Sequence, residues 1–274
     1  MAYAEILYDV SDDIATLTLN RPDKLNAWTN QMGTEVRAAM LAAEEDATVR
    51  VIILTGAGRG FCAGADMGML QSAAAPSGVD RRLIPLQPEP TRNNANPGFQ
   101  RRYSYFASIK KPIIAAINGP CAGLGFVLCL YCDLRFASNT ARLGTAFARR
   151  GLIAEHGIAW MLPRLVGPAH ALDLLLSARM VDAAEAAHMG LINRVIPASH
   201  LITEVRAYAK ELATMVSPRS VSVIKQQVYN ALMETLEEAT IAADKAMFES
   251  FDSQDFKEGV AHFVEKRAPA FTGK

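Results

Sequence analysis

Two stretches of this 274-residue chain share one construction, and together they constrain its fold more than any other feature. The first is an apolar run at 51–55 followed by Gly58-Arg59-Gly60-Phe61-Cys62-Ala63-Gly64-Ala65-Asp66-Met67. The second is an apolar run at 112–117 followed by Asn118-Gly119-Pro120-Cys121-Ala122-Gly123-Leu124-Gly125. Each reads as a buried strand, a turn crowded with small residues, and the start of a helix. Small residues leave the backbone N–H groups of such a turn accessible. N–H groups at a helix start attract a negative oxygen, helped by the helix dipole. Two such turns facing one another form an oxyanion hole from backbone alone. That arrangement suits chemistry at a carbonyl without a side-chain nucleophile. Taken singly, each turn is also consistent with a tight strand-to-helix connection.

The periodicity of the remaining chain agrees with a layered α/β architecture. Residues 6–10 and 14–19 read as paired strands, and residues 26–47 as an amphipathic helix with Met32, Val36, Met40 and Leu41 on one face. Residues 100–109 and 123–132 read as helices, 133–137 as a strand and 141–144 as a short edge strand. Stacked β-β-α units and a mostly parallel sheet follow. Near residue 200 the pattern turns wholly helical, with segments at 201–216, 220–232 and 236–251. This divides the chain into a core at 1–200 and a helical region at 201–274. Residues 73–97 hold Pro76, Pro85, Pro88, Pro90 and Pro97 with Asn93, Asn94 and Asn96. A connection this long reads either as a lid over the site or as a disordered segment.

Half of the residues are hydrophobic, enough for a sizeable core, and 28 basic residues balance 28 acidic ones. A neutral chain offers no nucleic-acid surface, so an anionic ligand needs a local cluster of charge. The N-terminus lacks the pattern of a signal peptide. The apolar run at 112–132 is interrupted by Asn118-Gly119-Pro120 and followed by Asp133 and Arg135, so it reads as strand, turn and buried helix rather than a membrane span. Cys62, Cys121, Cys129 and Cys132 read as buried thiols in a reducing cytoplasm, because Cys129-x-x-Cys132 lacks a second pair for zinc. Gly56-x-Gly58-x-Gly60 is not a dinucleotide fingerprint, since Phe61 stands at the third glycine position, and no P-loop sequence is present.

The combined segments resemble the crotonase superfamily, the enoyl-CoA hydratase/isomerase family. Leu19-Asn20-Arg21-Pro22-Asp23-Lys24-Leu25-Asn26-Ala27 is similar to its first signature. Residues 51–66 and 117–138 are similar to its two oxyanion segments, and 151–167 and 255–271 continue the likeness across essentially the whole chain. The resemblance implies a spiral of β-β-α units with C-terminal helices that mediate trimerisation, as a homotrimer or homohexamer. It implies an acyl-CoA substrate whose thioester oxygen lies between the N–H groups of Ala65 and Leu124. Leucine at the second position also resembles the isomerase branch, and any residue but proline keeps the donor. For the coenzyme A portion it implies Lys24, Ala63, Gly64 and Asp66, together with Phe263 and Lys266, the lysine reaching the ligand of a neighbouring subunit. Asp66 itself reads as a helix cap rather than a base.

The two carboxylates of a hydratase would fall by resemblance at Val127 and Phe147, and both are apolar here. Neither can hold water or move a proton. A different acid, Glu155 in Gly151-Leu152-Ile153-Ala154-Glu155-His156-Gly157, occupies a position where enoyl-CoA isomerases, dienoyl-CoA isomerases and a halobenzoyl-CoA dehalogenase of the superfamily carry a reactive acid. His156 is expected to be structural, since adjacent helical residues point to different faces. The sequence reading is therefore enoyl-CoA isomerisation by Glu155, with Val127 and Phe147 lining an apolar pocket. Hydration of an enoyl-CoA and acyl-CoA binding without turnover are the alternatives. No metal, redox cofactor, nucleic acid or membrane partner is expected.

Overall fold

A computed structural model describes residues 3–75 and 96–274. Strands β1 (Ile6–Ser11) and β2 (Ile14–Leu19) form a hairpin closed by Asp12 and Asp13, both left-handed at φ 53° and 61°. Helix α1 (Asn30–Glu45) leads to β3 (Val51–Gly56), which pairs parallel with β2. After α2 (Met67–Ala74) come β4 (Ile113–Ile117), β5 (Cys121–Ala122), α3 (Leu124–Tyr131), β6 (Leu134–Ser138) and β7 (Arg142–Gly144). Then follow α4 (Ile158–Ser177), β8 (Val181–Asp182), α5 (Ala183–His188) and β9 (Arg194–Ile196). The main sheet has the order β1-β2-β3-β4-β6-β9, parallel from β2 onward; a smaller one has the order β5-β7-β8.

Every residue of β3 and β4 is buried, as strands covered on both faces must be. The alternation of side chains divides β3 between two cores. Ile52 and Leu54 join Met32, Val36, Ala39 and Met40 of α1. Val51 and Ile53 join Leu201, Val205 and Ala209 of α6 (Leu201–Met215). Thus α6, the first helix beyond residue 200, covers the second face of the sheet. The chain ends in α7 (Pro218–Ala231), α8 (Leu236–Phe251) and α9 (Gln254–Glu265). Lys225 of α7 is anchored on Asp133 at 2.7 Å, whose other oxygen accepts from Tyr229 Oη at 3.0 Å. In contrast, α8 has no buried residue, and Leu236, Ile241 and Phe248 stand exposed on it.

Three local expectations change. The helix expected at 26–47 begins at Asn30, where the Thr29 side chain accepts from Met32 N at 2.9 Å. Residues 25 and 26 are instead left-handed, because the buried Asn26 carboxamide fastens three backbone groups: it accepts from Arg21 N and donates to the carbonyls of Ala57 and Gly60. Residues 100–109 form short 3-10 turns, Pro97–Gln100 and Ser104–Ser108, rather than one helix. Strand β7 lies in the middle of its small sheet, not at an edge. The run at 112–132 divides into β4, β5 and α3, and no helix among the described residues is long and apolar enough to cross a membrane. The candidate lid at 73–97 lies outside the described residues over 76–95.

Candidate active site

The two small-residue turns run side by side. Phe61 N and Cys62 N both donate to Pro120 O at 3.1 Å, and Ala122 N donates to Cys62 O at 2.9 Å. Asn118 closes the base of the pair, donating to Gly56 O and Gly58 O at 2.9 and 3.0 Å. At the point of closest approach both turns use glycine. Gly64 (φ 106°) and Gly123 (φ 52°) adopt backbone conformations that side chains disfavour, and a Cβ on Gly64 would lie 3.1 Å from Ala122 O.

On its other side the first turn is held by Trp28. Trp28 N donates to Gly64 O at 2.7 Å, and Asp66 N donates to Trp28 O at 2.9 Å. Ala65, between these two bonds, therefore has its N–H on the opposite side, facing away from Trp28. Leu124 is the first residue of α3, and its Gly123 cap supplies no side-chain acceptor, so its N–H is one of the donors a helix leaves unused. Among the described residues neither N–H has a protein acceptor. Both residues line one cavity of about 180 Å³.

The acid enters from the segment between β7 and α4. A 3-10 turn, Ala148–Arg150, and the left-handed Gly151 reverse the chain, and Leu152 N returns to Phe147 O at 3.1 Å. Glu155 is not on a helix: α4 starts only at Ile158, after the left-handed Gly157. Glu155 and His156 thus occupy a loop, not the helix that the sequence reading of His156 assumed. Burial holds its carboxyl above the ordinary glutamate range. His156 lines the same cavity, contrary to the expectation that it would face elsewhere, because residues 154–157 turn rather than spiral. Its Nε2 is 3.7 Å from Glu155 Oε2. Loss of water and the nearby Arg102 charge push the imidazole down to about 4, so it is neutral at pH 7.

Of the residues named from sequence, Ala63, Gly64, Ala65, Leu124 and Glu155 meet in this cavity. Phe147 is there too, but Val127 is fully buried in the core and does not line it. Asp66 caps α2, accepting from Gly68 N at 2.9 Å, and pairs with Arg21 at 3.1 Å. These two contacts, the Gly68 N–H first, hold its carboxyl below the usual range. Arg21 is further engaged by Glu5 at 3.3 Å and by Ala27 O, which makes it a clasp. Lys24 ends the 3-10 turn Pro22–Lys24. Phe263 and Lys266 lie exposed at the end of α9, and neither reaches the cavity of its own chain.

Sequence reasoning missed Arg102 and Tyr103, which complete the wall from the segment after residue 96. Nothing in their spacing marks them, since they follow the long Pro-rich connection. Two larger cavities exist. One, of about 370 Å³, borders Arg37, Arg102 and Trp28 with no acid among its lining residues. The other, of about 350 Å³, borders Lys110, Lys111 and Arg219, away from both turns. Of these three cavities, as the described residues line them, the smallest joins an acid to the paired donors, so chemistry rather than size selects it. All four cysteines are free and buried, with burial pushing the Cys62 thiol up to about 12. Among the described residues no group of three His, Cys, Asp or Glu is placed to hold a metal ion.

Comparison with known proteins agrees with the geometry. The family model for enoyl-CoA hydratase/isomerase matches residues 9–274. The chain is 35% identical over 274 residues to the 1,2-epoxyphenylacetyl-CoA isomerase of Escherichia coli K12, covering 98% of each protein. It is 36% identical to a probable enoyl-CoA hydratase of Rhodobacter capsulatus, covering 100% of each. An enoyl-CoA hydratase subunit I from Geobacillus kaustophilus has a crystal structure that superposes with a TM-score of 0.86 at 35% identity, over 99% of both chains.

Proposed function

The chain belongs to the enoyl-CoA hydratase/isomerase family, and from that premise we propose that it isomerises a 3-enoyl-CoA to the conjugated 2-enoyl-CoA. The observation that carries this reading is that Glu155 is the one carboxyl among the described residues lining the oxyanion cavity. Isomerisation needs a single group that takes a proton and gives it back. Hydration needs a held water as well, and at the two positions of the hydratase pair this chain has Val127 in the core and Phe147 on the wall.

In the proposed reaction, ionised Glu155 removes a proton from C2 of the thioester. The C2–H electron pair moves into the C1–C2 bond, and charge collects on the thioester oxygen. Ala65 N–H and Leu124 N–H hold that charge, each worth about 3–4 kcal/mol of transition-state stabilisation in comparable sites. The dienolate then takes the proton from Glu155 at C4, and the double bond settles between C2 and C3. Leu124, Phe147 and Tyr103 supply the apolar part of the wall, and partial burial there keeps the carboxyl basic. The reaction requires no metal or redox cofactor.

The coenzyme A portion would run along Ala63, Gly64 and Asp66 toward Lys24, whose ammonium serves phosphate as a point charge. Assembly as a homotrimer or homohexamer through residues 201–274 would bring Phe263 and Lys266 to a neighbouring subunit's ligand. The support is the exposed apolar surface of α8 and α9. Sedimentation checks it, and a stable monomer at micromolar concentration would remove any role for Lys266 across an interface. The four free thiols suit a reducing compartment such as the cytoplasm.

The deciding assay supplies trans-3-enoyl-CoA and trans-2-enoyl-CoA of several chain lengths separately. Faster conversion of the 3-enoyl substrate is expected, with deuterium from solvent entering C2 or C4 and no 3-hydroxyacyl product. Rapid hydration of the 2-enoyl substrate, lost in Glu155→Gln, would establish a hydratase instead. Tight binding of both without turnover would favour a binding protein.

A further inference from the structure

His156 is held more firmly than a wall residue requires. Its backbone is left-handed at φ 57°, a conformation that costs a non-glycine residue about 1–2 kcal/mol and persists only where the surroundings enforce it. The enforcement is visible. Tyr131 Oη donates to His156 O at 2.8 Å, and the imidazole packs edge-on against the Tyr103 ring at 4.6 Å. Gly157 continues the left-handed turn, and a Cβ there would lie 2.5 Å from Tyr131 Oη. Two successive left-handed residues direct the side chains of Glu155 and His156 to one wall of the cavity, which a helix would not do.

We infer that His156 is a positioning residue, its Nε2–H directed at Glu155 Oε2 so that the carboxylate is held at the reacting carbon. This rests on Glu155 being the acid. The 3.7 Å separation is a small side-chain rotation from a hydrogen bond, and catalytic hydrogen bonds are often long before substrate arrives. A neutral imidazole suits the task. A cation here would pull the Glu155 carboxyl down and weaken it as a base, whereas a neutral donor orients it at a smaller loss of basicity. The other charged or titratable groups on the cavity wall are Arg102, Arg150 and Tyr103. Burial, reinforced by the Arg102 charge, disfavours protonation of His156 and keeps it neutral.

Three substitutions separate orientation from packing. His156→Phe keeps the ring against Tyr103 and loses the donor. His156→Asn suits the left-handed backbone better but places its amide short of the Nε2 position. His156→Gln places an amide N–H near that position. We expect Phe and Asn to lower kcat about 10–100-fold with KM little changed, and Gln to stay within a few-fold of the parent. An independent readout needs no turnover and is made with a saturated acyl-CoA bound. Carbon-13 NMR of labelled glutamate carboxyls follows Glu155, assigned by its absence in Glu155→Gln. His156→Phe should raise its titration midpoint, since a donor to the ionised form is lost, and His156→Gln should restore it. An unmoved midpoint in His156→Phe, or full kcat in that variant beside an inactive Glu155→Gln, overturns the inference alone. An active Glu155→Gln overturns the assignment of the acid instead.

Discussion

The loop at Glu155 puts a carboxyl on the wall of the cavity, the turn at Asp66 puts one next in the chain to Ala65, and their surroundings give them opposite properties. Asp66 accepts a backbone N–H from Gly68 and pairs with Arg21, and it ionises more readily than an ordinary aspartate. Glu155 stands beside a neutral imidazole, and partial burial makes it ionise less readily than an ordinary glutamate. One carboxyl is consumed by structure. The other retains its capacity to take a proton. Proximity to the donors does not distinguish them; what each is bonded to does.

The largest test of the contrast is Glu155→Gln. It keeps the shape of the side chain and removes the base, so turnover of the preferred substrate should fall by about 10²–10⁴-fold or more, with acyl-CoA binding retained. Steady-state kinetics and a binding titration with a saturated acyl-CoA check the two halves. Near-normal turnover would move the chemistry to a different group.

The oxyanion turns offer the next largest effect. Leu124→Pro deletes one donor at the first helical position, where proline is otherwise well tolerated. A loss of about 10²–10³-fold in kcat is expected with helix content by circular dichroism unchanged. A smaller loss with intact folding would mean that Leu124 N–H does not hold the developing charge.

The third effect lies in pH. In the proposed reaction Glu155 acts ionised, so kcat/KM should fall as pH is lowered through its folded-state pKa, and the limb should lie above the ordinary glutamate range because burial raises it. His156, pushed down to about 4, should add no second limb near its usual value. A limb at or below the ordinary glutamate range would show that Glu155 is hydrated during catalysis.

The sequence revealed these two regions unequally. The strands and the two small-residue turns were legible because they depend on backbone: buried strands, small residues and a helix start leave their mark in local composition, whereas the choice of Ala65 and Leu124 within those turns came from the family resemblance. Asp66 was legible as a cap because a cap needs only its own neighbours. The setting of Glu155 was not. A helix over 155–156 fits the local pattern, and the left-handed turn is imposed by Tyr131 from another element. Tyr103 and Arg102 arrive from beyond the 73–97 connection, where chain spacing carries no information about contact. The start of α1 was misplaced for a related reason: Asn26 is fastened to Ala57 and Gly60, partners more than thirty residues away.

The smallest effect expected, and the sharpest control, is Asp66→Asn. Asparagine caps a helix about as well as aspartate, so the Gly68 bond that starts α2 is retained. The charge opposite Arg21 is lost, but exposed ion pairs contribute little, and Arg21 keeps Glu5 and Ala27 O as partners. If Asp66 is a cap, kcat should remain within about threefold of the parent and the melting temperature nearly unchanged, since the cap bond to Gly68 survives and the lost pairing with Arg21 contributes little. A rise in KM alone would place the Asp66 carboxylate along the coenzyme A portion of the ligand. A fall in kcat comparable with Glu155→Gln would mean that the carboxyl consumed by structure also moves a proton, and the division between the two acids would fail.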